Sequence, residues 1–465
     1  MPREKQGPIF QKGDIMHFFR RAVFPAVLVL AVSGLLYAGT VQAAPRIQET
    51  GERTVIVIDP GHGGENRGTI ENGHEEKYMT MTTALAMYEE LLLYEDVDVY
   101  LTHREDADMS LKERAEFAKS VNADFMFSIH YNASASHELF GSEVWVSSVS
   151  PYNSYGYQFG YEFLTDMRDL GLFVRGIKTR LGNGGADYYG IIRQSVALDI
   201  PAVILEHCHV DEARDAVFCD TEEQLKAFGR MDATAVARYF GLKSSVLGVD
   251  YSDYALAAAD PSGSMEITAV DTTVPELCVI DYKDADYEEG ILELTVSAMD
   301  PDSLILYYSY SLDGGRTFSA REPWPGSDAL TGSFPESFPL KLTIPPDTAP
   351  TVILRAYNLY DLYVESNSYI SEQVFRPAPV ENGEQPAENS ANNRDIQPVL
   401  NEAAGQERAP EEGALERYDF VVFCLAFAVA ILILLFFFQY VSYRKRKKRR
   451  VQRRKELGEL WNQQK

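Results

Sequence analysis

Cysteine is scarce in this chain, with four in 465 residues, at Cys208, Cys219, Cys278 and Cys424. So few in so long a chain exclude the disulfide framework of a small secreted scaffold, and the folded parts must be held by ordinary hydrophobic cores. Cys208 and Cys219 are near enough in sequence to pair across a short loop, and the sequence leaves that open. Positive charge is also in deficit: 43 Lys and Arg stand against 69 Asp and Glu, for a net charge of -26. That balance excludes nucleic acid as the main partner. No internal repeat is evident, and the length suits two folded domains plus connecting or membrane segments.

The positive charge that is present gathers at the ends. Residues 442–465 hold eleven Lys and Arg against two Glu, and residues 1–43 hold five basic and two acidic residues, so the body between is strongly acidic. Between Asp419 and Arg444 lie 24 uncharged residues, including the apolar run Phe420 to Phe438. Such a run is long enough to cross the roughly 30 Å hydrocarbon layer as a helix. A buried core helix is the competing reading, and it fits poorly with apolar residues on every face and RKRKKRR directly following. Residues 419–443 are therefore expected to be a transmembrane helix and 444–465 a basic cytoplasmic tail, with the acidic body outside. At the other end, Arg20-Arg21, an apolar stretch from Ala22 to about Leu36 and Val41-Gln42-Ala43 make residues 1–43 a secretory signal or an uncleaved signal anchor. The expected location is the cell membrane, single-pass, with the folded body extracytoplasmic.

Residues 54–242 alternate short apolar runs with longer helical patterns, which predicts an α/β domain built on a mainly parallel sheet flanked by helices. The expected strands are Val55 to Ile58, Val97 to Leu101, Phe125 to Ile129, Glu143 to Val146 and Ala202 to Leu205. The expected helices are Lys77 to Tyr94, Ser110 to Val121, Tyr157 to Leu170 and Glu222 to Phe240. Residues 265–376 change to short strands rich in β-branched and aromatic residues, which predicts a small all-β sandwich of immunoglobulin or fibronectin type with no catalytic cluster. Residues 377–418 are rich in Pro, Glu, Asn, Gln and Ala and poor in aromatics, the composition of a disordered acidic stalk.

Chemistry concentrates at the ends of three expected strands. Asp59-Pro60-Gly61-His62-Gly63-Gly64 follows the first, His130 follows Phe125 to Ile129, and Glu206 follows Ala202 to Leu205. Ligands of open α/β sheets bind outside the carboxyl ends of strands, so these three side chains leave the sheet where a site is expected. A catalytic zinc ion commonly takes two His and one carboxylate and keeps a fourth position for water. Glu76 at a helix start would complete that set, but Glu75 and His74 are neighbours, and spacing does not choose among them.

The blocks DPGHGG (59–64), Glu76-Lys77, LTHREDADMSLKERAEFAKSVNADFMFSIHYNAS (101–134) and PAVILEH (201–207), in this order, resemble the N-acetylmuramoyl-L-alanine amidase family, type 3 catalytic domain. The resemblance covers about residues 54–242. It implies a twisted sheet surrounded by helices, one zinc ion and cleavage of the amide between muramic acid and L-alanine in peptidoglycan. By motif, His62, Glu76 and His130 would be the zinc ligands and Glu206 the general base; the match before Lys77 selects Glu76. Asn132 and Arg193 are the candidate substrate contacts, and Arg175 to Lys178, also placed as in the family, would be either contacts to anionic groups or solvated charge. Two departures stand out. His103 occupies a position where the family usually has Arg, with Arg104 as a possible substitute. His207-Cys208-His209 replaces a glycine-aromatic sequence, where local packing competes with a second metal site. The chain is thus expected to be a membrane-tethered zinc amidase acting on peptidoglycan, with a further protein partner at the β-sandwich or basic tail. A non-cleaving binding or regulatory protein and a zinc hydrolase of another amide are the other functions compatible with these residues.

Overall fold

The computed structural model describes residues 53–256 and 270–376. The expected signal segment (1–43), stalk (377–418), transmembrane helix (419–443) and basic tail (444–465) lie outside the described residues. Among the described residues, no helix is long and apolar enough to cross a membrane.

The α/β domain is a six-stranded sheet with strands β1 (Thr54–Pro60), β2 (Val97–Leu101), β3 (Phe125–Asn132), β4 (Ser142–Val146), β5 (Val174–Lys178) and β6 (Ala202–His209). The spatial order is β2-β1-β3-β6-β4-β5. Every neighbouring pair is parallel except β4 with β6. Helices α1 (Glu76–Leu91), α2 (Leu111–Ser120), α3 (Tyr152–Leu170), α4 (Gly190–Val196), α5 (Ala213–Ala216) and α6 (Glu222–Phe240) complete it.

Strand alternation sorts the helices between the two faces. Ile56, Ile58, Phe125, Phe127, Val203 and Leu205 pack with α1, α3 and α6. The intervening Val57, Met126, Ala202 and Ile204 pack with Ala118 of α2 and Ile191 and Ile192 of α4. Both faces of the central strands are therefore covered, which is why they read as continuous apolar runs. The helix starts are specified locally. Ser110 with Glu113 and Thr221 with Gln224 form reciprocal capping boxes at α2 and α6, satisfying N–H groups that the first turn leaves without partners.

Three strands run further than the apolar pattern predicts. β1 continues through Asp59 and Pro60, β3 through His130 to Asn132, and β6 through Glu206 to His209. The chemistry-bearing residues thus lie within strand ends rather than in loops after them. The sequence pattern does not mark β5 or α4, and α3 begins at Tyr152 rather than Tyr157.

The second half forms two antiparallel sheets around one core. Leu277–Asp286, Ile291–Met299 and Ser337–Thr343 make one sheet; Ile305–Ser311, Glu322–Pro323, Thr351–Asn358 and Tyr363–Glu365 make the other, with Tyr369–Ile370 also pairing with Thr351–Asn358. Leu292, Leu294, Val296, Trp324, Leu354 and Phe375 are among the buried residues between them. This half packs on the α/β domain in one compact unit.

Candidate metal centre and active site

The loop after β1 is held from below by a buried ion pair. Asp59 accepts hydrogen bonds from Thr102 at 2.7 Å and Ser128 at 2.9 Å, and it pairs with Arg114 of α2 at 2.8 Å. The same guanidinium donates to the carbonyls of Pro60 at 2.6 Å and His62 at 2.5 Å. Lys77 binds the loop from above through the Gly64 carbonyl at 2.8 Å and Asp106 at 2.6 Å. Under these constraints His62 adopts φ 67°, a left-handed conformation that a non-glycine residue holds only when its surroundings impose it. Gly61 is required on different grounds, since a Cβ there would collide with the His130 ring.

Glu76 is the first residue of α1 and is buried. Its Oε2 accepts from the Thr69 N–H at 2.9 Å, and its Oε1 accepts from the Tyr131 N–H at 3.1 Å. Oε1 also lies 3.0 Å from His62 Nε2 and 3.1 Å from His130 Nδ1. Burial by itself would raise the Glu76 pKa, but the hydrogen bonds and charges of His130 and His62 overcome it and hold the carboxyl well below its ordinary range. Burial pulls His62 down, yet the Glu76 contact lifts it above its ordinary value. Glu75 turns away to Arg67 at 2.8 Å, and His74 turns away to Asp220 at 3.2 Å.

His62, Glu76 and His130 each present one ligand atom within 4.8 Å of the others, the one such group among the described residues. His62 Nδ1 lies 3.0 Å from Asn66 Oδ1, an oxygen that also accepts from the Gly68 N–H. An acceptor at that oxygen assigns the imidazole proton to Nδ1 and turns the Nε2 lone pair toward a carboxylate oxygen. Two lone pairs facing each other at 3.0 Å need a cation between them, a proton or a metal ion. Two imidazoles, one carboxylate and an orienting partner on the outer nitrogen of His62 are the donor set and the outer support that zinc uses.

Glu206 is the register partner of His130 across the β3–β6 pair and of Glu143 across β6–β4. Its Oε2 is buried with no hydrogen-bond partner among the described residues. Burial, followed by the negative charges of Glu76 and Glu143, pushes its pKa well above the ordinary carboxyl value, against a smaller opposing effect of Arg175. A carboxyl that gives up its proton reluctantly, beside a metal-ligand set, has the character of a general base and acid.

Glu143 does not stand out as a site residue in the sequence, where a carboxylate opening the apolar run of β4 is its one signal. Its Oε1 accepts from Asn132 Nδ2 at 2.8 Å and Trp145 Nε1 at 3.2 Å; its Oε2 accepts from Arg175 at 2.9 Å and Lys178 at 2.7 Å. Despite burial, the Lys178 and Arg175 charges keep it ionised, well below the usual range. Arg175 and Lys178 are thus buried partners of Glu143, which corrects both readings of that segment, as solvated charge and as open contacts to anionic groups. Arg193 Nη1 donates to the carbonyls of Asp187 at 2.6 Å and Tyr188 at 2.9 Å, bracing the preceding loop. Arg104 lies over the Tyr88 ring, 4.3 Å from its centroid, and the buried cation of this corner is Arg114.

The His207-Cys208-His209 segment is packing. His207 Nε2 pairs with Asp232 at 3.0 Å inside a cage with Tyr131 and Phe228. Cys208 and Cys219 are buried free thiols. His209 is fully buried, with Nδ1 donating to the Gly141 carbonyl at 3.1 Å and Nε2 unpartnered. Burial, reinforced by Arg175, pushes its pKa down to about 4. A folded pKa below the unfolded value of 6.5 gives stability that is complete above pH 6.5 and lost as pH falls toward 4. Asp215, which accepts from the His209 N–H and is raised to about 6 by burial, acts in the opposite sense: its contribution is complete below 3.8 and lost as pH rises through 6. His209→Gln should therefore gain about 3 kcal/mol relative to wild type between pH 7 and pH 4, measured by denaturant unfolding. Parallel pH profiles for the two proteins would rule out the neutral buried imidazole.

The sequence profile described as N-acetylmuramoyl-L-alanine amidase matches residues 56–238. The N-acetylmuramoyl-L-alanine amidase CwlM of Bacillus licheniformis is 33% identical over 193 residues, spanning 41% of this chain and 70% of that protein. The chain belongs to the N-acetylmuramoyl-L-alanine amidase family. The sporulation-specific N-acetylmuramoyl-L-alanine amidase of Bacillus subtilis (strain 168) is 32% identical, over 41% of this chain and 69% of its own length. Among solved structures, the catalytic domain of the amidase CwlV from Bacillus (Paenibacillus) polymyxa var. colistinus is 27% identical with a TM-score of 0.36, covering 41% of this chain and 99% of that one. The amidase-family domain is thus the first folded half, and the β-domain lies outside the matched residues.

Proposed function

We propose that this chain is a zinc-dependent N-acetylmuramoyl-L-alanine amidase that hydrolyses the amide between muramic acid and L-alanine in peptidoglycan. The observation that carries this reading is the convergence of His62, Glu76 and His130 within 4.8 Å, with Glu206 in register beside His130. His62, Glu76 and His130 would hold one zinc ion, and Asn132 and the remaining N–H groups of Arg193 are the proposed substrate contacts. When bound, zinc supplies a Lewis acid that polarises the amide carbonyl and acidifies water. Glu206, its ionised form favoured by the charge of a bound zinc ion, would then take the proton from the attacking water at its unpartnered Oε2. It returns that proton to the departing nitrogen, so that water adds across the C–N bond and L-alanine leaves as a free amine. The Asp59–Arg114 pair and Lys77 keep the His62 loop in place while this occurs. The apolar run 420–438 would tether the enzyme to the outer face of the cytoplasmic membrane, with the acidic segment 377–418 as the stalk that reaches the wall.

Incubating the full chain and zinc with purified peptidoglycan should release L-alanine amino termini without new reducing sugar ends. Release of reducing ends alone, or of nothing, would reject the amidase reading. Cleavage of unrelated acylated amines in preference to muropeptides would assign the site to another substrate.

A further inference from the structure

β5 is an edge strand with one neighbour, yet all five of its residues are buried. Its cover is the β-domain. Phe140 packs in one cluster with Leu304, Leu306, Tyr307 and Tyr357. Gly176, at φ 94°, admits the approach, since a Cβ there would stand 3.1 Å from Leu359 and 3.2 Å from Ala329.

Inside this contact lies a set of charges that the amidase domain does not balance alone. Glu143, Arg175 and Lys178 are 3%, 2% and 1% exposed, so within their own domain two buried cations face one carboxylate. The second carboxylate is Asp361 of the β-domain, 2.8 Å from Arg175 Nη2, with its other oxygen 2.9 Å from Arg321. Tyr307 adds a hydroxyl that accepts from Arg175 Nη1 at 2.9 Å and donates to the Phe140 carbonyl at 2.9 Å. A buried guanidinium deprived of one partner is costly, and it recruits whatever acceptor remains. Here the remaining carboxylate is Glu143, the group that binds the Asn132 amide and faces Glu206 across the β6–β4 pair.

We infer that Asp361 is a positioning residue of the amidase site: by holding Arg175 it sets Glu143, and through Glu143 it fixes β4 against Glu206 and the Asn132 amide. The β-domain then completes the active-site wall rather than merely accompanying the enzyme, an inference that rests on the amidase reading above. A contact that served docking alone would alter thermal stability and leave the kinetic constants together. A positioning role separates them, because Glu206 acts in the chemical step and its misplacement lowers kcat.

The test uses the full chain carrying Asp361→Asn, which keeps the side-chain shape and removes the charge. A second variant, Tyr307→Phe, removes the two hydrogen bonds of the hydroxyl and keeps the packing should the first fold poorly. On a defined muropeptide, kcat should fall about tenfold in the first and by a smaller factor in the second, with KM within about twofold and one zinc per chain retained. Trp145, which donates to Glu143, reports on the linkage without turnover. Its emission, isolated by subtracting spectra of the same chains carrying Trp145→Phe, should shift in Asp361→Asn. A wild-type chain that hydrolyses nothing overturns the amidase reading. An active wild type matched in kcat by both variants overturns the positioning role alone, and Trp145 emission unchanged by Asp361→Asn overturns it whatever the activity.

Discussion

Glu206→Gln should bind zinc as the wild type does, unfold at a higher temperature in its metal-free form, and cleave peptidoglycan at least about a hundredfold more slowly, the loss associated with removing a general base. The exchange keeps the volume of the side chain and removes the ability to accept a proton. The stability gain follows from the sign of the shift. Burial and the charges of Glu76 and Glu143 place the folded-state pKa of Glu206 well above the unfolded value of 4.5. The native state therefore holds the neutral acid more readily than the unfolded chain does, and ionising Glu206 costs folding free energy. This penalty is absent below pH 4.5 and grows as pH rises from there toward the folded pKa. Glutamine avoids it, so the melting temperatures of the two metal-free proteins should coincide near pH 4 and separate upward. Calorimetry in chelator at several pH values, beside amine release with zinc, measures both effects. Turnover within tenfold of wild type would remove Glu206 from the base role, and a lower melting temperature at pH 8 would contradict the buried, unpaired carboxylate.

The parts of this protein that the sequence made legible are those whose burial needs no partner domain. Ile56 to Ile58, Phe125 to Ile129 and Ala202 to Leu205 are covered on both faces by their own helices, so apolar runs locate them directly. The pattern stops short of their ends because Asp59, His130 and Glu206 break it while the backbone remains in the sheet. β5 was invisible for a different reason. Val-Arg-Gly-Ile-Lys reads as exposed loop until Asp361 and Tyr307, more than a hundred residues away, supply the countercharge and hydroxyl that bury it. Arg114 likewise looks like ordinary surface charge on a helix, and only the return of the loop after β1 shows that it holds three groups at once. His62, His130 and Glu206 could be read as convergent because strand ends of one sheet share an edge. Glu76 could not be separated from Glu75 by spacing, since adjacent residues at a helix start point in different directions and sequence does not say where the first turn begins.

That last ambiguity yields the second large expected effect. Glu76→Gln should abolish zinc binding at concentrations that saturate the wild type and reduce hydrolysis below about 1% of wild type, because an amide oxygen is a poor substitute for a carboxylate in a three-ligand zinc site. The fold should survive, since one amide oxygen can still accept from the Thr69 or Tyr131 N–H groups that hold the carboxylate now. Thermodynamic linkage offers a readout without substrate: a metal that binds only the native state stabilises it by about 2.7 kcal/mol at a hundred times its Kd. The wild-type melting temperature should therefore climb with free zinc and fall back in chelator, while that of Glu76→Gln stays flat. Glu75→Gln is the matched comparison, because Glu75 is committed to Arg67 and is not among the three clustered ligand residues. It should keep both the zinc-dependent rise and the activity. The opposite pattern, with Glu75→Gln losing zinc and Glu76→Gln retaining it, would show that α1 presents a different carboxylate to His62 and His130 than the one whose oxygen lies 3.0 and 3.1 Å from them.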